Sequence, residues 1–365
     1  MMKEIPKLTG RGQQFRAVGL LLFLVWGCVD PVELPIRQTE RRLVVDGFIT
    51  DEPPPYIIKL TYSGNLNRAL LIPDELAING AVATVEDNLG NQAQLQQDPL
   101  NPAFYWMRDT RLQGVLGRTY TLRIQLPDGS RYVSRPELLA PVPAIEKFYA
   151  EYKVSDPNLL AFNSFQVRID TRDPSEPGNF YRWQAMSYMP IWGGGNDPQG
   201  YYNRSRPAGE GAYAPFYGPL TNVLSDQLIN GNRLEGQLVL TAPLVALGTQ
   251  YMEVRQYSLS RAAYQYWVLY QEQLSRAGTI FDPQPASIEG NVRSVEDTNK
   301  LALGFFGASA VSRQRMVIHT DTINYARFVS RFGPLLFDDV SPTVPGLARD
   351  QAQAAPPTKW LTDGK

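Results

Sequence analysis

Apolar residues along this chain recur with a period of two far more often than with the three-to-four spacing of a helix. The run YIIKLTYS at 56–63 puts Ile58, Leu60 and Tyr62 on one face and Ile57, Lys59 and Thr61 on the other. That is the pattern of a strand with one buried face, because successive strand side chains point to opposite sides. RRLVVDGFIT at 41–50 is a β-branched run whose internal Asp46-Gly47 pair predicts a turn or bulge. AVATVEDNLGNQAQLQQ at 81–97 reads as strand, Asn-Leu-Gly-Asn turn, strand, and AFYWMR at 103–108 as a further strand. The strongest hairpin signal lies at 117–135, where Tyr120, Leu122, Ile124 and Leu126 alternate up to Pro-Asp-Gly and Tyr132 and Ser134 follow. Asp-Gly tolerates the positive φ that tight hairpin turns require.

Strands about every ten residues over roughly a hundred residues predict an immunoglobulin-like β-sandwich at 41–143. No Cys-Trp-Cys framework exists, which excludes an antibody-type domain. PELLAPVPAIEKF at 136–148 carries three prolines and reads as a domain boundary. Beyond it the predicted strands are longer and alternate less cleanly: 165–172, 179–192, 234–242, 249–259, 301–310 and 313–321. A second β-rich domain at 144–335 with a more fully covered sheet is expected. The fold class is therefore mainly β, with one amphipathic helix in the second domain. That helix is SRAAYQYWVLYQEQLSRAG, expected over 260–277, with Ser260 as its cap and Gly278 just past its end. Ala263, Trp267, Tyr270 and Leu274 form its apolar stripe, suited to packing on the second sheet or to presenting an aromatic face to a partner.

Composition sharpens this picture in one place. Charged residues are 19% of the chain and aromatics 11%, with 29 glycines and 29 prolines spread as punctuation between strands. The exception is GGGNDPQGYYNRSRPAGEGAYAPFYGP at 193–219, which concentrates glycine, proline and aromatic residues. Structureless loops of that length are uncommon in compact domains and are usually functional or disordered. Tyr201, Tyr202, Tyr213, Phe216 and Tyr217 argue against disorder, because disordered segments are poor in aromatics. Two readings fit: aromatic anchors of an interface or glycan platform, or rings folded back onto the sheet.

The N-terminal segment supplies an address. Residues 1–16 hold Lys3, Lys7, Arg11 and Arg16 against Glu4, and residues 17–27 hold no charge. A basic region followed by a short apolar one is a secretory signal peptide, and the apolar run is too short to span a bilayer. Its end, Val25-Trp26-Gly27-Cys28, resembles a bacterial lipobox, which makes Cys28, the only cysteine, the expected lipid-attachment site. Trp26 departs from the small residue that the lipobox prefers. Removal of 1–27 leaves 31 Lys and Arg against 35 Asp and Glu, a net charge of −4. No basic stripe exists, so nucleic acid is not an expected partner. Residues 28–40 read as a tether from the membrane, and 336–365 as an irregular tail.

Catalytic chemistry is sparse. His319 is the only histidine, on a predicted strand two residues before Asp321, and a triad would have to use it. Zinc sites of the Cys/His type fail on ligand count. Close acids in DTRDPSE (170–176) and FDDV (337–340) lack EF-hand spacing. A carboxylate pair for glycoside hydrolysis is invisible to spacing. GGGN and GEGAY lack the helix that a phosphate-binding loop precedes. No enzyme activity, metal or cofactor is expected.

Several stretches together resemble a family of Bacteroidota outer-membrane lipoproteins catalogued as a domain of unknown function. They are LVVDGFITDEPPPYIIKLTYS (43–63), GAVATVEDNLG (80–90), LGRTYTLRIQLPDGSRYVS (116–134), NFYRWQA (179–185), RQYSLSRAAYQYWVLYQEQLSRAGTIFDPQP (255–285) and GNVRSVEDTNKLALGFFGAS (290–309). The resemblance implies an immunoglobulin-like domain followed by a second β-rich domain. It also implies an outer-membrane location through the lipid on Cys28 and a TonB-dependent receptor as partner, since such genes typically lie side by side. The family has no established catalytic residues. The expected function is an accessory or substrate-capturing subunit of a TonB-dependent uptake complex; the alternative is a free-standing adhesive or glycan- or peptide-binding lipoprotein.

Overall fold

A computed structural model of the chain describes residues 41–64, 76–155, 163–191, 212–219, 221–244, 249–276 and 288–319. Cys28, Tyr201, Tyr202, Asp321 and the 336–365 tail lie outside the described residues. The first third holds strands β1 (Leu43–Thr50), β2 (Tyr56–Tyr62), β3 (Val82–Asp87), β4 (Gln92–Gln94), β5 (Gln96–Gln97), β6 (Phe104–Met107), β7 (Thr119–Gln125), β8 (Arg131–Ser134) and β9 (Glu137–Leu138). Then come β10 (Ile145–Lys153), β11 (Ser164–Arg172), β12 (Phe180–Ile191), β13 (Ala212–Tyr217), β14 (Asn222–Ser225), β15 (Arg233–Pro243) and β16 (Thr249–Ser258). Helix α1 (Arg261–Arg276) precedes β17 (Glu289–Ser294), β18 (Leu301–Ser309) and β19 (Val311–His319). The protein is mainly β with one α-helix among the described residues, as its periodicity predicts.

The first body is an 11-stranded sheet with the path β4-β3-β7-β8-β17-β18-β1-β2-β6-β5, and β9 beside β7. Its two ends are neighbours in sequence: only buried Leu95 separates Gln94 of β4 from Gln96 of β5. The sheet therefore curls into a sandwich around one apolar core that includes Val45, Ile58, Tyr105, Leu122 and Phe306. Both predicted turns form. Asp87 Oδ1 accepts from the N–H groups of Leu89 and Asn91, each at 2.9 Å, while Gly90 takes φ 83°. Gly129 takes φ 88° in the second turn. The turn or bulge expected at Asp46-Gly47 does not form, and β1 pairs without a break to β2 from Leu43 to Gly47. Glycine is needed there for a different reason: a Cβ on Gly47 would lie 2.8 Å from the Ile57 carbonyl oxygen.

The domain organisation corrects the expected split at 143/144. Strands β17 and β18, inside the stretch assigned to the second domain, complete the first sheet. β18 runs parallel to β1 in the register Val44↔Leu303 to Thr50↔Ser309. Parallel neighbours need a long crossover, and here the whole second body supplies it. Period-two alternation shows that a strand has a buried face but not which strand lies beside it.

That second body packs the sheet β10-β11-β15 against the sheet β13-β12-β16-β19, with β14 beside β12. Val167, Ile169, Trp183, Leu240, Met252 and Val254 meet between them. β10 falls where the prolines suggested a linker. Its sequence IEKFYAEYK is charged because it is an edge strand with one half-covered face.

The two bodies are stitched together by hydrogen bonds. Val311 N–H donates to Asp51 Oδ1 at 2.8 Å, and Ser258 Oγ–H to the Ala140 carbonyl at 2.6 Å. Helix α1 starts as predicted, with Ala263 N–H donating to Ser260 Oγ at 3.1 Å. It packs on both bodies rather than only on the second sheet. Phe180 and Val223 come from one side and Phe305 from the other. Tyr266 rather than Leu274 continues the stripe toward the first body, since Tyr266 packs tilted against Phe305 with ring centres 5.3 Å apart and Leu274 is 55% exposed.

Candidate interaction face and interdomain cleft

The second sandwich has two outer faces that both carry paired charges, and one of them adds a cluster of tyrosines. On the β10-β11-β15 side, charged groups pair with each other. Asp170 meets Lys147 Nζ at 3.4 Å and Arg233 at 3.6 Å, Arg233 Nε meets Glu146 at 3.0 Å, and Arg168 meets Glu151 at 3.5 Å. Such a lattice of compensated charge is suited to water.

The outer face of the β13-β12-β16-β19 sheet differs. The pairing registers place Arg182, Gln184, Met186 and Tyr188 of β12 beside Tyr257, Arg255, Glu253 and Tyr251 of β16. Val311, Arg313, Arg315 and Val317 of β19 continue the rows. One end of this face is aromatic. Tyr213 of β13 meets Tyr251 edge-on at 5.8 Å, Tyr188 lies opposite Tyr251, and Tyr217 beside Met186 is 45% exposed. The middle is ionic. Buried Glu253 accepts from Arg255 Nε at 2.8 Å and Arg315 Nε at 2.6 Å, while Glu52 at the end of β1 meets Arg313 at 3.3 Å.

The expected aromatic loop at 193–219 thus contains a strand at its C-terminal end. Because strand side chains alternate, β13 realises both readings of its aromatics. Tyr213 and Tyr217 point to the outer face, whereas Phe216, opposite Ser187, packs against the core.

At the far end of the same face, α1 and the first sheet close over it to form a cleft. Its walls include Asp46 and Phe48 of β1, Arg182 of β12, Tyr257 of β16, Trp267 of α1 and Phe305 of β18. The cleft is open to solvent and its cavity measures about 20 Å³, room for about one water. The Arg182 guanidinium lies 3.5 Å from the Trp267 ring centre, and Phe48 meets Tyr257 edge-on at 5.3 Å. Burial pulls Arg182 down to about 10, opposed by Tyr257 and Asp46, so it keeps its charge at neutral pH. Asp46 presents its surface to the cleft, yet the enclosing walls push its carboxyl above the ordinary range, with Arg182 and Lys59 opposing. Sequence reasoning did not select this cleft, because its residues are spread from 46 to 305. A buried arginine in an otherwise alternating strand, Arg182 within FYRWQAM, was the one local signal.

The remaining sequence candidates do not assemble. Asp170 is held by Lys147 and Arg233, and Asp173 accepts from Tyr181 Oη and, at 3.0 Å, from Gly231 N–H. Among the described residues no three His, Cys, Asp or Glu side chains form a metal-ligand group. His319 is exposed, with Nδ1 3.3 Å from Thr249 Oγ1. No helix among the described residues is long and apolar enough to cross a membrane.

A family model described as a domain of unknown function (DUF4249) matches residues 29–315. No curated protein matches the chain significantly. Among solved structures, the chain is similar to the selenomethionine-substituted interferon gamma receptor alpha chain of chicken, at 9% identity over 60% of this chain and 89% of that one. The TM-score is 0.17, a likeness that carries no argument.

Proposed function

The chain belongs to the DUF4249 family, defined as a domain of unknown function, and from its residues we propose a membrane-tethered binding role. In this reading the protein is an outer-membrane lipoprotein, anchored through Cys28, that serves a TonB-dependent receptor as an accessory or substrate-capturing partner. The observation that carries the reading is the contrast between the two outer faces of the second sandwich. One is laced with paired charges. The other presents Tyr188, Tyr213, Tyr217 and Tyr251 beside Arg255 and Arg313. Tyrosine and arginine dominate the energetics of protein interfaces, because they bury large areas with few rotors while keeping a polar handle. A lipid on Cys28 would confine that face to the membrane plane and raise its effective concentration near a receptor.

The open Tyr217 ring gives a second reading, a free-standing glycan- or peptide-binding lipoprotein, because sugar rings stack on exposed aromatic faces as well. A pull-down from native outer membranes in mild detergent tests the first reading. The arms are the wild type, Cys28→Ser and a Tyr213→Ala/Tyr217→Ala double variant. Recovery of a TonB-dependent receptor in near-equal amount by the wild type, and its loss in both variants, is the expected result. A wild-type protein that comes down alone at every detergent strength refutes the partnership and leaves the second reading to be tested by glycan and peptide binding.

A further inference from the structure

The tripeptide Ile-Asn-Gly occurs twice in the chain, at Ile78-Asn79-Gly80 and at Ile229-Asn230-Gly231. An Asn-Gly step is chemically labile, because no side chain hinders the glycine nitrogen from closing a succinimide ring on the asparagine carboxamide. Identical neighbours make the two steps alike in an unfolded chain, so the fold alone separates them.

At the second step the nucleophile is held. Gly231 N–H donates to Asp173 Oδ2 at 3.0 Å and to the Pro174 carbonyl at 3.1 Å. Asp173 is 3% exposed. Removing the Gly231 proton would set an amide anion against a buried acid, and repulsion between charges is strong where water is scarce. The Asn230 carboxamide is tied down as well, since its Nδ2 donates to the Ser175 carbonyl at 3.1 Å. The first step is arranged otherwise. Asn79 and Gly80 are both exposed. Gly80 N–H donates to Gln97 Oε1 at 3.0 Å, and Gln97 Nε2 donates to Asn79 Oδ1 at 3.1 Å. One neutral carboxamide thus touches both reacting groups, and its bond to Oδ1 draws electron density from Asn79 Cγ. An exposed N–H bonded to a neutral group yields its proton to hydroxide more readily than one held by a buried acid.

We propose that Asn79 is a site of spontaneous modification in the folded protein, converting to aspartate and isoaspartate, while the fold protects Asn230. Hydroxide takes the Gly80 amide proton, and the nitrogen attacks Asn79 Cγ. The N–Cγ bond forms, the Cγ–Nδ2 bond breaks, and ammonia leaves with a proton from water. Water then opens the succinimide at either carbonyl. Opening at Cγ gives aspartate on a normal backbone. Opening at the Asn79 main-chain carbonyl gives isoaspartate, whose chain runs through Cβ and Cγ. The two products act differently on the first sandwich. Tyr105, fully buried, donates from Oη to the Ile78 carbonyl at 2.5 Å and accepts from Ala81 N–H at 3.1 Å. These bonds bracket the Asn79-Gly80 step. Isoaspartate adds one backbone carbon between them, so one bond is lost and a buried hydroxyl is left short of a partner. Aspartate leaves the spacing unchanged. Chemistry at an exposed turn is thereby converted into a slow loosening of the first core. None of this depends on the receptor partnership proposed above, which uses the second sandwich.

The test is ageing of the full chain in mildly alkaline buffer, once folded and once in urea. Peptide mass spectrometry with electron-transfer fragmentation then separates isoaspartate from aspartate at each site. In urea the two sites should convert at about the same rate. In the folded protein Asn79 should convert at least about tenfold faster than Asn230. Wild type aged until Asn79 is converted should melt roughly 1–4 °C lower than fresh protein, whereas fresh Asn79→Asp should stay within about 1 °C of it. The proposal is overturned if Asn79 persists in the folded protein while the urea sample converts, or if the two sites react equally in the folded state. An aged wild type that melts like the fresh one overturns the loosening of the Tyr105 bracket.

Discussion

Glu253 is the group whose removal should reveal how much the ionic middle of the tyrosine-bearing face contributes to stability. It is 3% exposed and holds Arg255 at 2.8 Å and Arg315 at 2.6 Å. Removing one partner from a buried ion pair costs about 3–5 kcal/mol, since the remaining charge is left desolvated. Here the arginine side chains are 37% and 14% exposed, so water screens part of that loss. Arg255 also keeps Glu52 at 3.9 Å. Glu253→Gln, which preserves shape and one acceptor oxygen, should therefore cost about 2 kcal/mol. For a chain of 365 residues, with an unfolding entropy of roughly 0.8 kcal/mol/K, that corresponds to a melting-temperature drop of roughly 3 °C. The control is Glu86→Gln, which breaks a pair of the same chemistry, 2.8 Å from Arg123, whose side chains are 34% and 59% exposed. It should shift melting by no more than about 1 °C. Scanning calorimetry of both variants in low and high salt decides the matter. Equal shifts in the two variants, or a Glu253→Gln shift within about 1 °C, would refute the argument that burial sets the difference.

Two further outcomes follow from other buried groups. Trp183, fully buried, donates from Nε1 to Gln256 Oε1 at 2.7 Å, and Gln256 Nε2 donates to the Pro143 carbonyl at 2.8 Å. Trp183→Phe leaves that oxygen unpaired beside a cavity, and urea unfolding should show a loss of about 2–4 kcal/mol; a change within about 0.5 kcal/mol would sink the packing argument. Burial pushes the Glu137 carboxyl up, with hydrogen bonds from Ser260 and Asn291 opposing, and its Oε2 has no partner. A raised folded-state value means the protonated form favours folding. Its contribution is fully present below the unfolded value of about 4.5 and is lost as pH rises through the folded one. Glu137→Gln should then match the wild type near pH 4 and melt higher near pH 7. A difference that does not vary with pH would contradict this.

Much of the fold was legible locally. Hairpins around Asn88–Asn91 and Asp128–Gly129 follow from turn chemistry between alternating runs, and their geometry depends on four or five neighbouring residues. The cap at Ser260 is equally local. Edge strands were harder to read, because β10 and β13 are covered on one side only and their charged or glycine-flanked sequences mask the alternation. The tyrosine face was half visible. Aromatic enrichment marked Tyr213, Phe216 and Tyr217, but only the pairing register separates the outward rings from the inward Phe216.

By itself the sequence determined what nearest neighbours along the chain can decide: period-two strands, glycine-bearing turns and a capped helix. Tertiary structure alone decided which strands meet. The parallel pairing of β1 with β18 joins residues more than 250 positions apart, and no local preference encodes it. From that pairing follow the interleaving of the two bodies, the seat of α1 across both, and the meeting of Asp46 with Arg182 and Trp267. The physical reason is that alternation specifies a buried face, while the partner is chosen by complementary packing and by backbone hydrogen bonds that every strand offers alike.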